Sequence, residues 1–439
     1  IKRLVAAGET RGLDWILCTL PENIFYFSGF RTLFYTRFIG VLVPAKEKRE
    51  PVLVVSFIDR KIVEEKFWSP HWLNQVVIWG PTPEETYKTH WEALKVYLQP
   101  GISLGVDAIQ YDFYEQLVQA FPGLKVVNVQ SDILNIRMVK DEEEIQKVTR
   151  AFALTEKVVA MIPAWLQKPI TEAELAAEIY RAARMEGAEE AFYPVLVSCG
   201  SKMLALHTPA LPRPIKENEL IRVALGFQID GYGSDVVRIF CRGRVPAEMV
   251  PLKEAYFEAM GAVFERLRPG VRSSELLRKV EEIYRRRGCL KNWLNSIGHG
   301  IALTIHEPPR IAGTDDTVMQ ENMLLAIEPL LFCPPYGALA HCDGVRITTQ
   351  GCTPLSSRMR DIVTVYRRGA IVPRLNLCEK ACFSIHFYKI PSGNEFVGVP
   401  LREAQHWDIG KDRALDQVGI KASRIDNGSR LLPALRKEA

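Results

Sequence analysis

Asp235 in GYGSDVVRIF, His299 in IGHGIAL, Glu328 in LLAIEPLL and the pair His341/Cys342 in ALAHCDGVRITTQG are metal-type or acid/base side chains in strand-like runs far apart in the chain. Two carboxylates and an imidazole can hold a hard Lewis acid and the water it activates. Hydrolysis of a C–N bond needs such a water, a base for its proton and an acid for the leaving nitrogen. Taken singly, Asp235 reads as a turn residue and His299 as a loop residue; their joint occurrence points to a site. Cys342 admits three readings: a thiolate ligand, a nucleophile activated by His341, or a small buried filler. Cys199 in VSCGSK precedes the loop carrying His207 and is a second candidate to line a pocket. Cys378, Cys382 and His386 share fourfold helical spacing, a weak metal signal. GYGSDV starts like a dinucleotide fingerprint but lacks its third glycine and runs into a strand, so that reading is rejected.

The elements that must position these residues follow from the hydrophobic pattern. From about residue 11 to 130, β-rich runs (WILCTL, FIGVLVP, PVLVVSF, NQVVIWG, LKVVNV) alternate with helical stretches, which predicts a small α/β domain. Beyond RMVK, an acidic start and apolar residues Ile145, Val148, Phe152, Val159 and Ile162 predict a helix ending before Pro163. The next helix opens with a Thr171/Glu174 capping box and an Ile170/Leu175 staple. Two successive blocks of helix, helix and strands follow, the second with helices over about 251–267 and 273–287. That order predicts a pseudo-duplicated α+β domain with a curved antiparallel sheet and a site on its concave face. The predicted boundaries are 1–133, 134–370 and a C-terminal extension over 371–439.

With 439 residues, 47% hydrophobic and 25% charged, the chain is long enough for two cored domains. Its net charge of +4 is spread among acids, with no basic stripe for nucleic acid. No apolar run reaches the roughly 20 residues that span a bilayer, and the first residues lack the apolar core of a signal peptide, so a cytoplasmic location without membrane association is expected. Nine cysteines in such a chain suggest free thiols.

The order Asp235, then GHG with HE seven residues on, then IEP, then a last acidic strand closing on Gly351, resembles the creatinase, prolidase and aminopeptidase P family. The resemblance covers about residues 12–368 and includes GLDWILCTLPENIFYFSGF and RMVKDEEEI. It implies a "pita-bread" catalytic domain behind a creatinase-type N-terminal domain. It also implies five metal ligands, of which Asp235, His299 and Glu328 remain; Ala224 stands at the first position and Cys342 at the last. The expectation is therefore no metal or a single divalent Zn, Mn or Fe on Asp235, His299 and Glu328, and not a metal pair.

By the same resemblance His207 is the acid/base and His306 contacts the scissile bond. Asp235 and Glu328 give polar support. Arg37, reaching in from a partner subunit, and Arg310 hold a substrate carboxylate, with Cys342 beside them. The expected protein is a homodimeric C–N hydrolase of a small carboxylate-bearing compound or dipeptide. The alternatives are an Xaa-Pro peptidase with one metal and an inactive binding module.

Overall fold

A computed structural model describes residues 1–46, 49–66, 68–356 and 361–366, and the backbone of two further strands at 384–389 and 396–401. Six strands form the first sheet: β1 (Trp15–Cys18), β2 (Gly40–Pro44), β3 (Val52–Ser56), β4 (Gln75–Trp79), β5 (Ser103–Val106) and β6 (Lys125–Asn128), in the order β4-β3-β2-β1-β5-β6. β1 to β3 pair antiparallel and the other pairs run parallel. The central strands read as continuous Val, Leu and Ile because both faces are covered. Helices α1 (Lys2–Thr10), α2 (Pro21–Ser28) and α6 (Gln130–Met138) place Leu4, Ile24 and Ile133 on one face. Helices α4 (His90–Lys95) and α5 (Tyr111–Ala120) bring Leu94 and Leu117 to the other, and α3 (Arg60–Glu65) is a short connector.

The second part begins with α7 (Glu142–Leu166), capped by a reciprocal Asp141/Glu144 box, and α8 (Glu172–Met185), capped by the predicted Thr171/Glu174 box. α7 runs on through Pro163 rather than stopping before it. The proline lies in the last turn, where little helix remains to be disrupted. Strands β7 (Leu196–Cys199), β8 (Leu220–Leu225) and β11 (Val236–Arg242) follow, the small hairpin β9–β10 (Gln228–Ile229, Tyr232–Gly233) lying between the last two. The order then repeats with α9 (Met249–Arg266), α10 (Ser273–Arg286), β12 (Ser296–Gly300), β13 (Glu307–Ala312), β14 (Leu324–Ile327), the hairpin β15–β16 (Leu331–Cys333, Gly337–Leu339), β17 (Asp343–Thr348) and β18 (Gly351–Pro354).

The expected single sheet is two. One has the order β19-β11-β8-β7, in which β19 (Val363–Val365) lies parallel to β11; the other is β13-β12-β14-β17-β18. They are joined where Val237 and Cys342 exchange backbone hydrogen bonds. Alternation assigns the faces: on β8, Ile221, Val223 and Leu225 pack on α7 and α8, leaving Arg222 and Ala224 on the other side. The α9/α10 half has its own core around Tyr256, Leu276, Val280 and Ile327.

Residues Ile1–Arg368 form one compact unit. Within 369–439 the described residues are the antiparallel strands β20 (Ser384–Lys389) and β21 (Phe396–Leu401). His386 therefore lies on a strand, and the helical spacing expected for it fails; Cys378 and Cys382 lie outside the described residues. No described helix is long and apolar enough to cross a membrane.

One buried cluster ties the two parts of the first unit together. Glu307, at the start of β13, accepts from Arg137 Nη2 at 2.5 Å and Lys140 Nζ at 2.9 Å. It also caps the backbone N–H groups of Leu303 and Thr304. Arg137 donates in turn to Asn23, which reaches Asp107 on the first sheet's side. This explains the RMVK motif: both of its cations converge on one carboxylate.

Burial works against the Glu307 carboxylate, but Lys140 and Arg137 overcome it and hold its pKa down at about 2, against an ordinary 4.5. A depressed carboxyl pKa adds stability that is fully present above about 4.5 and lost as pH falls toward 2, on the order of 3 kcal/mol for this gap. Urea unfolding followed from pH 7 to pH 3 should show that loss in the native protein. Glu307→Gln should be weaker at pH 7, with two cations left buried, and should show a flatter acid limb; parallel curves for the two proteins would refute the assignment.

Candidate active site

His299 sits on β12, the strand flanked by β13 and β14, and the glycines beside it are required by backbone approach. A Cβ on Gly298, whose φ is +149°, would lie 2.2 Å from Ala326 O, and one on Gly300 would lie 2.1 Å from Pro308 O. The imidazole Nδ1–H donates to Gly300 O at 3.0 Å, which leaves Nε2 facing the site. Nε2 is buried without a hydrogen-bond partner, 3.6 Å from both Asp235 Oδ2 and Glu328 Oε1. Asp235, just before β11, accepts from the Tyr193 hydroxyl at 2.6 Å through its other oxygen. Glu328 follows β14 directly and is partly exposed.

The charges of this trio are interdependent. Burial lowers the pKa of His299, but Glu328 and Asp235 outweigh it and raise the pKa above its ordinary value. Burial and then Glu328 raise Asp235; His299, the Tyr193 hydrogen bond and Arg222 oppose that rise. Glu328 is held low despite burial, chiefly by His299, with help from Arg222 and His306.

His306 packs its ring perpendicular to His299 at 4.3 Å between centroids. Burial first, and then the charges of His299, Arg310 and His207, lower its pKa against the opposing pull of Glu328. Arg310 is the cross-strand neighbour of His299 on β13 and is exposed. His207 is exposed on a turn whose flanks are fixed by the fully buried Glu172, which accepts from Cys199 N, Lys202 Nζ, Leu211 N and Arg213. The fold thus gathers Asp235, His299, Glu328 and His306, with His207 and Arg310 close enough to act on His306. The two carboxylates flank His299 rather than His207. Arg37 lies in an exposed loop before β2, where its charge acts on Asp59, and this chain does not bring it to the site.

Three cysteine readings are settled by packing. Cys342 is 0% exposed, within an apolar cluster of Ala224, Val237, Ala326, Leu330, Ala338 and Ala340. Its thiol donates to Asp235 O at 3.6 Å, and burial, then Asp235, Glu328 and Asp343, push its pKa well up. Full burial among apolar side chains and a raised pKa favour the filler reading over a nucleophile or a substrate contact. His341 points elsewhere, against Tyr256 and Phe257, with its pKa pulled down to about 3 by burial and Arg238. Asp343, the acid beside Cys342, pairs with Arg238 at 2.9 Å. Cys199 is buried in the α7/α8 core.

Two residues escaped the sequence reading. Tyr193 carried no signal beyond an aromatic in a mixed run. Arg222 did carry one: a cation inside the apolar strand LIRVAL, which a buried strand tolerates only for a reason.

Residues 1–139 match the model of the creatinase/prolidase N-terminal domain, and residues 146–351 match metallopeptidase family M24. The chain belongs to the creatinase, prolidase and aminopeptidase P family. It is 27% identical over 347 residues to the putative dipeptidase YkvY of Bacillus subtilis, covering 78% of this chain and 93% of the relative. It is 25% identical over 364 residues to the Xaa-Pro dipeptidase of Pyrococcus furiosus, covering 83% and 99%. The crystal structure of the prolidase from Pyrococcus horikoshii OT3 aligns with TM-score 0.74 at 25% identity, over 82% of this chain and 99% of that one.

Membership of a metallopeptidase family implies divalent-metal chemistry. The unpartnered Nε2 of His299 is what a ligand position leaves behind, but one oxygen of Asp235 is engaged by Tyr193. Among the described residues no group of three or more His, Cys, Asp or Glu side chains is arranged to hold an ion. Ala224 and Cys342, which stand where two further ligands are expected, are apolar floor. These donors do not fit a metal pair.

Elemental analysis of the purified protein should therefore find at most one equivalent of Zn, Mn or Fe per chain. Ala224→Asp together with Cys342→Glu should raise metal uptake, since both return oxygen ligands beside Asp235. Two tightly held equivalents in the native protein would show the last strand to be misassigned.

Proposed function

We propose that this chain is a hydrolase that cleaves a C–N bond in a small carboxylate-bearing compound or dipeptide, without the metal pair of its family. The observation that carries this reading is the retained cluster of His299, His306, Asp235 and Glu328 above a floor closed by Ala224 and Cys342. Gly300 O holds the His299 ring through Nδ1–H, Asp235 and Glu328 flank its Nε2, and the ring supports His306. His306, against the ring of His299, is placed to contact the scissile group. His207, exposed at the rim, takes a proton from water and returns it to the leaving nitrogen. Arg310 beside them provides a guanidinium for the substrate carboxylate.

Arg37 completes the clamp from a second subunit in this reading. The exposed apolar residues Leu33 (64%) and Phe34 (73%) precede it on the same loop and suit a surface that packs on another copy.

A second reading, an Xaa-Pro dipeptidase with one metal on Asp235, His299 and Glu328, is favoured by the names of the relatives and by the unpartnered Nε2. A panel of Xaa-Pro dipeptides and small guanidino- and amido-acids, assayed with and without chelator, separates the two: chelator-sensitive dipeptide cleavage selects the second. No turnover of any member would point to a binding module on the same fold.

Once a substrate is found, His207→Gln should lower turnover by roughly two to four orders of magnitude. Near-normal turnover in that variant, with loss in His306→Gln, would transfer the acid/base role to His306. Arg37→Ala should weaken substrate binding by about 2 to 5 kcal/mol. Mixed with a His207→Ala chain it should regain activity, because one of the two hybrid sites is intact; a hybrid with no activity would place the whole site within one chain.

A further inference from the structure

Arg222 is a charged side chain buried inside an apolar strand. It is 6% exposed, on β8, two residues from Ala224 and on the same face of the strand. Its neighbours across the sheet are Ser198 on β7 and Ile239 on β11. The guanidinium makes one hydrogen bond among the described residues, Nη1 to Leu206 O at 3.1 Å, and its Nε is buried with no partner. Among the described residues no carboxylate forms a salt bridge with it, in contrast to Arg137, whose burial is matched by Glu307. Its charge nevertheless reaches the site, favouring the ionised forms of Asp235, Glu328 and Tyr193. A buried cation with so few bonds is costly unless something else requires it. Here the two carboxylates of the site give it a role: with apolar residues at two ligand positions, His299 is the chief group that balances them and Arg222 adds to it.

We propose that Arg222 is the resident cation of this site: it stands in electrostatically for the metal pair that Ala224 and Cys342 cannot help to hold, and it keeps divalent cations from binding tightly at Asp235, His299 and Glu328. Through Leu206 O it also pins the residue before His207, so the same guanidinium that balances the carboxylates sets the height of the catalytic turn. The inference adds to the proposed function without depending on which compound is cleaved, although it rests on the reading of the site as lacking a metal pair.

The test is titration of metal-free protein with Zn²⁺, and separately Mn²⁺, by calorimetry, for the native chain, Arg222→Lys and Arg222→Met. Removing a unit charge from the strand face beside the site should tighten binding roughly tenfold or more in Arg222→Met, while Arg222→Lys stays close to native. The gain should vanish when His299→Ala is added, which places the ion in this site. Should Arg222→Met fail to fold by circular dichroism, Arg222→Gln serves in its place. Unchanged affinity in the neutral variant, an equal gain in Arg222→Lys, or a gain that survives His299→Ala would each overturn the proposal. Two equivalents in the native chain would instead overturn the reading of an incomplete site, so the two failures are distinguishable.

Discussion

The site depends on one carboxylate that takes no part in it. Glu307 is buried between two cations that end the first part of the chain, and it caps the backbone of the loop that carries His306. Three demands meet there: the α6–α7 junction is fixed, the first strand of the HEPP segment is anchored, and His306 is turned toward His299. A buried carboxylate is tolerable when it is paired and hydrogen-bonded, and here four donors meet it, three at Oε1 and one at Oε2. Removing the carboxylate would leave two uncompensated cations in the seam between the two parts, so the geometry of the imidazole pair is coupled to the integrity of the interdomain junction.

Much of this was legible in the sequence, for definable reasons. Period and capping residues placed α8, α9 and α10 within a residue or two, because their apolar stripes and the Thr171/Glu174 box are local signals. The division of the sheet was not legible, since the Val237–Cys342 contact that joins the halves spans more than a hundred residues and leaves no local trace. The course of α7 past Pro163 was missed because a proline's cost depends on its distance from the helix end, which periodicity does not report.

For the site, residue types survived translation into geometry better than residue roles. Asp235, His299, Glu328 and His306 meet as expected, since the spacing of GHG and HE reflects a strand and its return. The cysteines did not take up chemical roles, because thiol reactivity is set by burial and neighbouring charge, neither of which a sequence displays. Arg222 is the converse case: its meaning lies in a burial that, among the described residues, no carboxylate matches, and only packing reveals that.

The alternation along β8 has a further consequence. Ile221, Val223 and Leu225 are committed to the helix-facing core, whereas Arg222 and Ala224 look the other way. One strand therefore carries two independent texts, interleaved at a period of two, one written in volume and the other in charge. The second can be rewritten residue by residue while the first stays fixed. A lineage can in this way exchange its electrostatics without passing through an unfolded intermediate, and a backbone superposition of its members would record none of that exchange.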